Sequence, residues 1–262
     1  MPVLPLEDFY QGRTLVFAHR GARERAPENT LPAFEQAAAL GADGVELDVQ
    51  LSADGALVVI HDFSVERTTD GAGRVAEKTL ADLRQLDAGS WFGPGFAATR
   101  IPTLDEVFEA IGGRLLVNIE LKEFSLTDRA ARQRLAQGVW ECIRRHRMEG
   151  RVLISSFNPL ALRAMRHVAP QIPIGYLYAP DLPLPLAKGW LARPLIGRHE
   201  ARHPHFSMVD EAYMRWARRR GYRVNVWTVN ETSDVQRMCA LGVDMIISDR
   251  PDAVRDAMKG AV

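Results

Sequence analysis

Short β-branched runs alternate with helix-patterned segments along almost the whole chain, and that alternation restricts the fold more than any other feature. Extended runs are predicted at residues 15–18, 44–50, 57–60, 115–121, 152–155, 174–178, 206–209, 224–229 and 245–248. Helices are predicted over 30–40, 80–86, 104–111, 127–147, 159–168, 210–220, 232–241 and 252–258. Thr127 is read as an N-cap, Pro159 as a first-turn residue, and Gly41, Gly221 and Gly242 as helix ends. About eight βα units mean either a closed barrel or an open doubly wound sheet. An open dinucleotide-binding sheet would place a GxGxxG fingerprint after its first strand. That position holds His19-Arg20-Gly21-Ala22-Arg23, so the expectation is an α/β fold of the (β/α)8 TIM-barrel type. A chain of 262 residues is ordinary for one such domain, spanning 1–262. The rhythm breaks over about 62–103, which is rich in Thr and Gly and reads as an insertion or small cap over one barrel end.

Barrel chemistry collects at the C-terminal ends of the strands. Side chains alternate faces along a strand, so Glu46 and Asp48 share the inward face while Val45, Leu47 and Val49 face the helices. By the same parity Asn118, Glu120 and Lys122 point one way, and Glu120 adds a third carboxylate from the next strand. Three carboxylates on one inward face repel each other and resist desolvation, which a hard divalent cation relieves. The competing readings are an exposed acidic edge for Glu46 and Asp48, and a simple Glu120–Lys122 ion pair, which leaves Glu46 and Asp48 unpaired. His19 and His61 each close a predicted strand and form a candidate acid/base pair. The other histidines, His146, His167, His199, His203 and His205, are read as surface or loop residues, with His203 or His205 at the rim. Arg20 and Lys122 add positive charge, which suits a phosphate better than a neutral carbonyl. Arg20 has the opposite parity to His19, so it reaches the site only through a bend; its alternative is an ion pair with Glu28. Phe157 and Trp227 end strands and either wall a pocket or pack as core aromatics.

Charge narrows the partners. Lys plus Arg number 33 and Asp plus Glu 33, a balance that gives no support to nucleic-acid binding or to a basic membrane-facing surface. Cys142 and Cys239 form no disulfide framework, the N-terminus lacks a signal-peptide pattern, and no apolar run reaches membrane-spanning length. A cytoplasmic protein without stable membrane insertion is the expectation, and the oligomeric state is left open.

The segments HRGARERAPENT (19–30), VELDVQLSADGALVVIHD (45–62), ERTTDGAGRV (66–75), IPTLDEVF (101–108), NIELK (118–122), SSFNP (155–159) and VWTVN (226–230) occur in order. Together they resemble the glycerophosphodiester phosphodiesterase family. The resemblance implies a (β/α)8 barrel with a small insertion after the second strand. It implies Mg²⁺ or Ca²⁺ on Glu46, Asp48 and Glu120, and His19 and His61 as the acid/base pair. It implies that Arg20 and Lys122 hold phosphate, that Glu28 organises the metal surroundings, and that Phe157 and Trp227 line the glycerol or head-group side. The implied reaction hydrolyses glycerophosphodiesters to glycerol 3-phosphate and an alcohol, with water or the substrate's 2-hydroxyl as nucleophile. The Pro-rich stretch 179–205 matches no motif of the family.

Three other readings are compatible with the sequence. A lysophospholipase D or related phospholipid phosphodiesterase would need an apolar entry, for which a patch around residues 182–191 is the candidate. A non-enzymatic phosphodiester-binding barrel would have no use for two histidines. A glycosidase would need one neutral, metal-free carboxylic acid.

Overall fold

The computed structural model describes residues 6–125, 127–182 and 192–259. A short helix, α1 (Leu6–Tyr10), leads into β1 (Leu15–His19), α2 (Leu31–Ala39) and β2 (Gly44–Leu51). β3 (Leu57–Val59), α3 (Leu80–Leu83) and α4 (Leu104–Ile111) follow, then β4 (Leu116–Leu121), α5 (Arg129–Arg145), β5 (Val152–Ser156) and α6 (Pro159–Val168). The chain continues through β6 (Ile174–Tyr178), α7 (Ala192–Ile196), β7 (Ala201–Pro204), α8 (Glu211–Arg219), β8 (Arg223–Val226), α9 (Thr232–Leu241), β9 (Met245–Ser248) and α10 (Pro251–Lys259). Every strand except β3 is parallel to its neighbours, and β9 pairs back onto β1, so the expected 8-strand barrel is closed. β3 pairs antiparallel on β2 outside that ring and opens the segment that interrupts the βα rhythm before α4.

The alternation read from sequence decides which faces bury. Val45, Leu47 and Val49 of β2 and Val117, Ile119 and Leu121 of β4 turn outward, into one apolar layer with Phe34, Leu104, Val107, Leu135, Val139 and Leu162 from the surrounding helices. Each such side chain contributes roughly 1.5–3 kcal/mol by leaving water. Inside the barrel, Phe17, Leu15, Leu116, Leu153, Ala201, Met245 and Ile247 fill the lower layers, and Phe9 and Tyr10 of α1 plug the bottom. Small residues leave room for large ones there. A Cβ on Gly44 would lie 2.5 Å from the Phe17 ring and from the Leu116 carbonyl oxygen, and one on Gly175 would lie 2.3 Å from His203 Nε2.

Several sequence expectations are corrected. The sixth barrel strand, β7, is Ala201–Pro204, while 206–208 is a 3-10 turn. β7 shows no apolar alternation because its outward residue is Arg202, buried beside the Tyr178, Trp216 and Tyr222 rings, and its inward residue is His203. His203 is therefore an interior residue; its Nε2 meets the Asn225 amide at 2.9 Å, and burial pulls it down to about 3. His199 is also buried, stacked on Tyr222. α5 starts at Arg129 with Asp128, not Thr127, as its cap, because the Asp128 carboxylate accepts from Ala131 N at 2.8 Å. β8 ends at Val226, short of the expected 229. The apolar patch expected around 182–191 falls, from residue 183 onward, outside the described residues.

Candidate active site

The polar side chains deepest in the mouth come from β1, β2 and β4, paired in parallel register. His19 lies beside Glu46, Glu46 beside Asn118, and Asp48 beside Glu120. One oxygen each of Glu46, Asp48 and Glu120 lies within 4.8 Å of the others, and all three residues are buried. Parity thus did bring these acids together.

Their electrostatics are unequal. Burial, then the neighbouring Asp48 and Glu120 charges, push the Glu46 carboxyl well above the usual carboxylate range. Burial also raises Glu120, opposed by Lys122. Asp48 is equally buried, yet Lys122, Arg20, His61 and the Asn29 amide together hold its carboxyl well below its ordinary value. Lys122 Nζ sits 3.0 Å from Glu120 and 3.6 Å from Asp48, and Arg20 Nε sits 3.4 Å from Asp48. The Glu120–Lys122 pair of the competing reading is therefore present, but it lies within a larger cluster.

The residues fit a bound cation. Arg20 and Lys122 offset the charge of Asp48 but leave Glu46 under-neutralised: among the described residues its direct contacts are His19 Nε2 at 4.0 Å and the Arg20 backbone N–H. Asp48 Oδ1 and both amide atoms of Asn118 are buried without a hydrogen-bond partner among the described residues. An all-oxygen carboxylate set suits a hard ion of the Mg²⁺ or Ca²⁺ kind. A second cluster, Asp105, Cys142 and His146, differs: Arg145 already clamps both oxygens of Asp105, which makes it a latch between α4 and α5.

Both histidines are held by carboxylates. His19 Nδ1 lies 2.7 Å from Asp249 at the end of β9, and His61 Nδ1 lies 2.5 Å from Asp62. Asp249 is held below its ordinary value despite burial, by the His19 bond and charge, and Asp62 is held at about 2, chiefly by Arg67. Ionised carboxylates only accept, so each Nδ1 carries the hydrogen and each Nε2 is left for the cavity. Burial lowers His19 below its ordinary value against the pull of Asp249. His61 reaches the site because Ile60 N donates to the Asp48 carbonyl oxygen at 3.0 Å. Gln50, third on the inward face of β2, donates to the carbonyls of Ile60, His61 and Asp62 and pins that turn.

Arg20 makes its bend with a left-handed backbone, φ 54°, which turns the guanidinium back toward the acids. Its alternative partner is also present: Glu28 lies 2.8 Å from Arg20, 3.0 Å from Arg23 and 2.7 Å from Arg67. Burial opposes ionisation of Glu28, but Arg67, Arg20 and Arg23 hold it at about 2. Arg67 in turn grips Asp62 at 2.6 Å, so Glu28 links the Arg20 side of the mouth to the His61 side.

A cavity of about 160 Å³ joins these parts, lined by His19, Arg20, Glu46, His61, Asn118 and Glu120 on its polar side. Phe157, Leu177, Trp227 and Ile247 close the other side, and Phe157 meets Trp227 edge to face at 5.4 Å. A larger cleft of about 500 Å³, lined by Arg198, Glu200, Arg223 and Asp244, is at the opposite end of the barrel, away from the carboxylates and histidines of the mouth. Sequence reasoning missed Asp249, Gln50, Arg67 and Asn29. Asp249 is 230 positions from His19, a contact only barrel closure creates. Gln50 alone carried a signal, since it continues the Glu46 and Asp48 parity.

Fold and site together define a class, a (β/α)8-barrel hydrolase with a charged mouth laid out for a phosphodiester. Comparison with known proteins narrows this. The profile of the glycerophosphoryl diester phosphodiesterase family matches residues 19–253, and the chain belongs to that family. It is 44% identical over 243 residues to the glycerophosphodiester phosphodiesterase of Caldanaerobacter subterraneus subsp. tengcongensis, covering 92% of this chain and 96% of that one. An Oleispira antarctica phosphodiesterase, solved in complex with the product sn-glycerol-3-phosphate, superposes with a TM-score of 0.84 at 33% identity, over 95% of this chain and 98% of that one. The glycerophosphodiester phosphodiesterase of Agrobacterium tumefaciens superposes at 0.77 with 30% identity, over 93% and 99%.

Proposed function

We propose that the protein is a metal-dependent glycerophosphodiester phosphodiesterase that releases glycerol 3-phosphate and an alcohol, with His19 and His61 moving the protons. The observation that carries this reading is the convergence, at one barrel mouth, of three buried carboxylates with two imidazoles that each turn Nδ1 to a carboxylate. Glu46, Asp48 and Glu120 would hold the cation, Mg²⁺ or Ca²⁺. When bound, it polarises the phosphate and neutralises the acids. Arg20 and Lys122 face the phosphate and offset the negative charge that grows on it. Phe157, Leu177 and Trp227 exclude water from the glycerol side.

His19 is part-buried, and desolvation favours its neutral form, the form that accepts a proton. It is cast as the base: its Nε2 takes a proton as the nucleophile, water or the substrate's 2-hydroxyl, bonds to phosphorus. His61, on the more open side, is cast as the acid. In its imidazolium form, with Nδ1–H kept on Asp62, it gives its Nε2 proton to the alcohol oxygen as the phosphorus–oxygen bond breaks, which leaves the neutral ring. With the 2-hydroxyl route, a cyclic phosphate forms first and water then opens it.

The test uses two esters of glycerol 3-phosphate, with choline and with p-nitrophenol. His61→Ala should lose turnover of the choline ester and keep most of its turnover of the p-nitrophenyl ester, whose leaving group needs no proton. His19→Ala should lose both. Equal losses of both esters in His61→Ala would overturn the assignment of acid and base.

No helix among the described residues is long and apolar enough to cross a membrane. The two free cysteines support a cytoplasmic site of action, checked by fractionation of the native host.

A further inference from the structure

Large apolar side chains are costly to leave in water, and among the described residues three stand exposed: Phe63, Trp91 and Phe124. Two of them are at the mouth. Phe63 follows His61 by two positions and Phe124 follows Lys122 by two. They pack edge to face at 5.6 Å, and Phe124 lies 6.4 Å from Phe157. With Trp227 they form a continuous row of four rings that starts inside the cavity and ends in solvent. Phe63 and Phe124 remain 42% exposed there, so a large part of each ring is left uncovered by the fold.

The cavity itself is small. At about 160 Å³ it lies well under the few hundred cubic ångströms that enclose a larger ligand, so part of a diester extends beyond it. Phe63 and Phe124, next to His61 and Lys122 in the chain, also line a groove of about 660 Å³ that includes Leu51 and Leu135. Along that groove charges of both signs alternate, Lys122, Arg74 and Arg134 with Asp54, Glu123 and Asp128, so no single-sign field runs along it. One side of Phe124 already meets a cation, Lys122 Nζ, 5.3 Å from the ring centroid. The rings are left as the discriminating contact.

We infer that Phe63 and Phe124 are specificity-determining residues that seat the leaving alcohol, and that the protein favours diesters whose alcohol carries an alkyl chain. The inference rests on the proposed hydrolysis, and on His61 as the group next to the leaving oxygen. A short alcohol reaches only His61, whereas a chain of several methylenes lies across both rings and removes apolar surface from water on both sides.

The experiment compares kcat/KM for the ethyl, hexyl and choline esters of glycerol 3-phosphate, in wild type and in F63S/F124S. Wild type should prefer the hexyl to the ethyl ester by about tenfold, and the double variant should lose most of that preference. A ratio is the right readout because any disturbance of Lys122, which faces the phosphate, affects both esters alike. Phe124→Leu, which restores apolar surface, should recover the hexyl preference relative to Phe124→Ser. An unchanged hexyl-to-ethyl ratio in F63S/F124S, or a loss confined to the choline ester, would overturn the inference while leaving the hydrolytic function intact. No turnover of any ester by wild type would instead remove the functional reading beneath it.

Discussion

Glu28→Gln is the most informative single substitution away from the acids themselves, because one buried carboxylate there serves Arg20, Arg23 and Arg67 at once. Those arginines hold its carboxyl at about 2 against an ordinary 4.5. That difference corresponds to about 3 kcal/mol of native-state stabilisation. Arg67 and Arg23 are partly exposed, at 43% and 30%, so solvent screening trims the figure to about 2 kcal/mol. The folded value lies below the unfolded one, so the contribution is complete above pH 4.5 and is lost as pH falls toward 2. Urea unfolding of wild type and variant, with chelator present so that ion binding adds nothing, should show a gap of about 2 kcal/mol at pH 7. The gap should shrink to about half or less by pH 3. The variant should also lose kcat/KM, since Arg20 and, through Arg67 and Asp62, His61 lose an anchor. A gap under about 0.5 kcal/mol at pH 7, or one that does not change with pH, would refute the idea that Glu28 is an ionised hub.

The other expectations are simpler. His19→Ala and His61→Ala should each lower kcat on glycerophosphocholine by about 10²- to 10⁴-fold, and near wild-type turnover in both would remove the acid/base pair. Asp249 raises the His19 value, so Asp249→Asn should lower kcat and move the acid limb of kcat/KM to lower pH; an upward move contradicts the contact's assigned role. Gly44→Ala should destabilise by about 1–3 kcal/mol or more in thermal unfolding, because its Cβ would meet backbone and ring atoms at 2.5 Å inside the barrel; an unchanged Tm contradicts the packing described.

Much of the mouth was legible because strand parity is a local rule. Glu46 with Asp48 and Asn118 with Glu120 and Lys122 needed only a period of two and a parallel neighbour in register. Arg20 was legible as a problem: its wrong parity demanded a bend, and the left-handed backbone at that residue is the bend. What stayed hidden depends on closure. Asp249 reaches His19 only because β9 pairs with β1, and Arg67 reaches Glu28 only because the segment before α4 folds back over the mouth. β7 was misplaced for a different reason. Its outward Arg202 is buried by aromatic rings and its inward His203 fills space left by Gly175, so neither face shows the apolar alternation that marks a strand. α1 is too short for any periodicity, though it plugs the barrel with Phe9 and Tyr10.

Calorimetric titration of metal-stripped protein with Mg²⁺ and with Ca²⁺, run side by side on wild type and Asp48→Asn, tests the carboxylate cluster most directly. Wild type should take up one ion per chain with at least one of the two metals, more tightly as pH rises, because Glu46 must give up the proton that burial favours. Asp48→Asn should take up none at comparable concentration. Saturable binding of equal affinity in the variant, or full hydrolysis by stripped wild type in excess chelator, would contradict a metal centre on Glu46, Asp48 and Glu120.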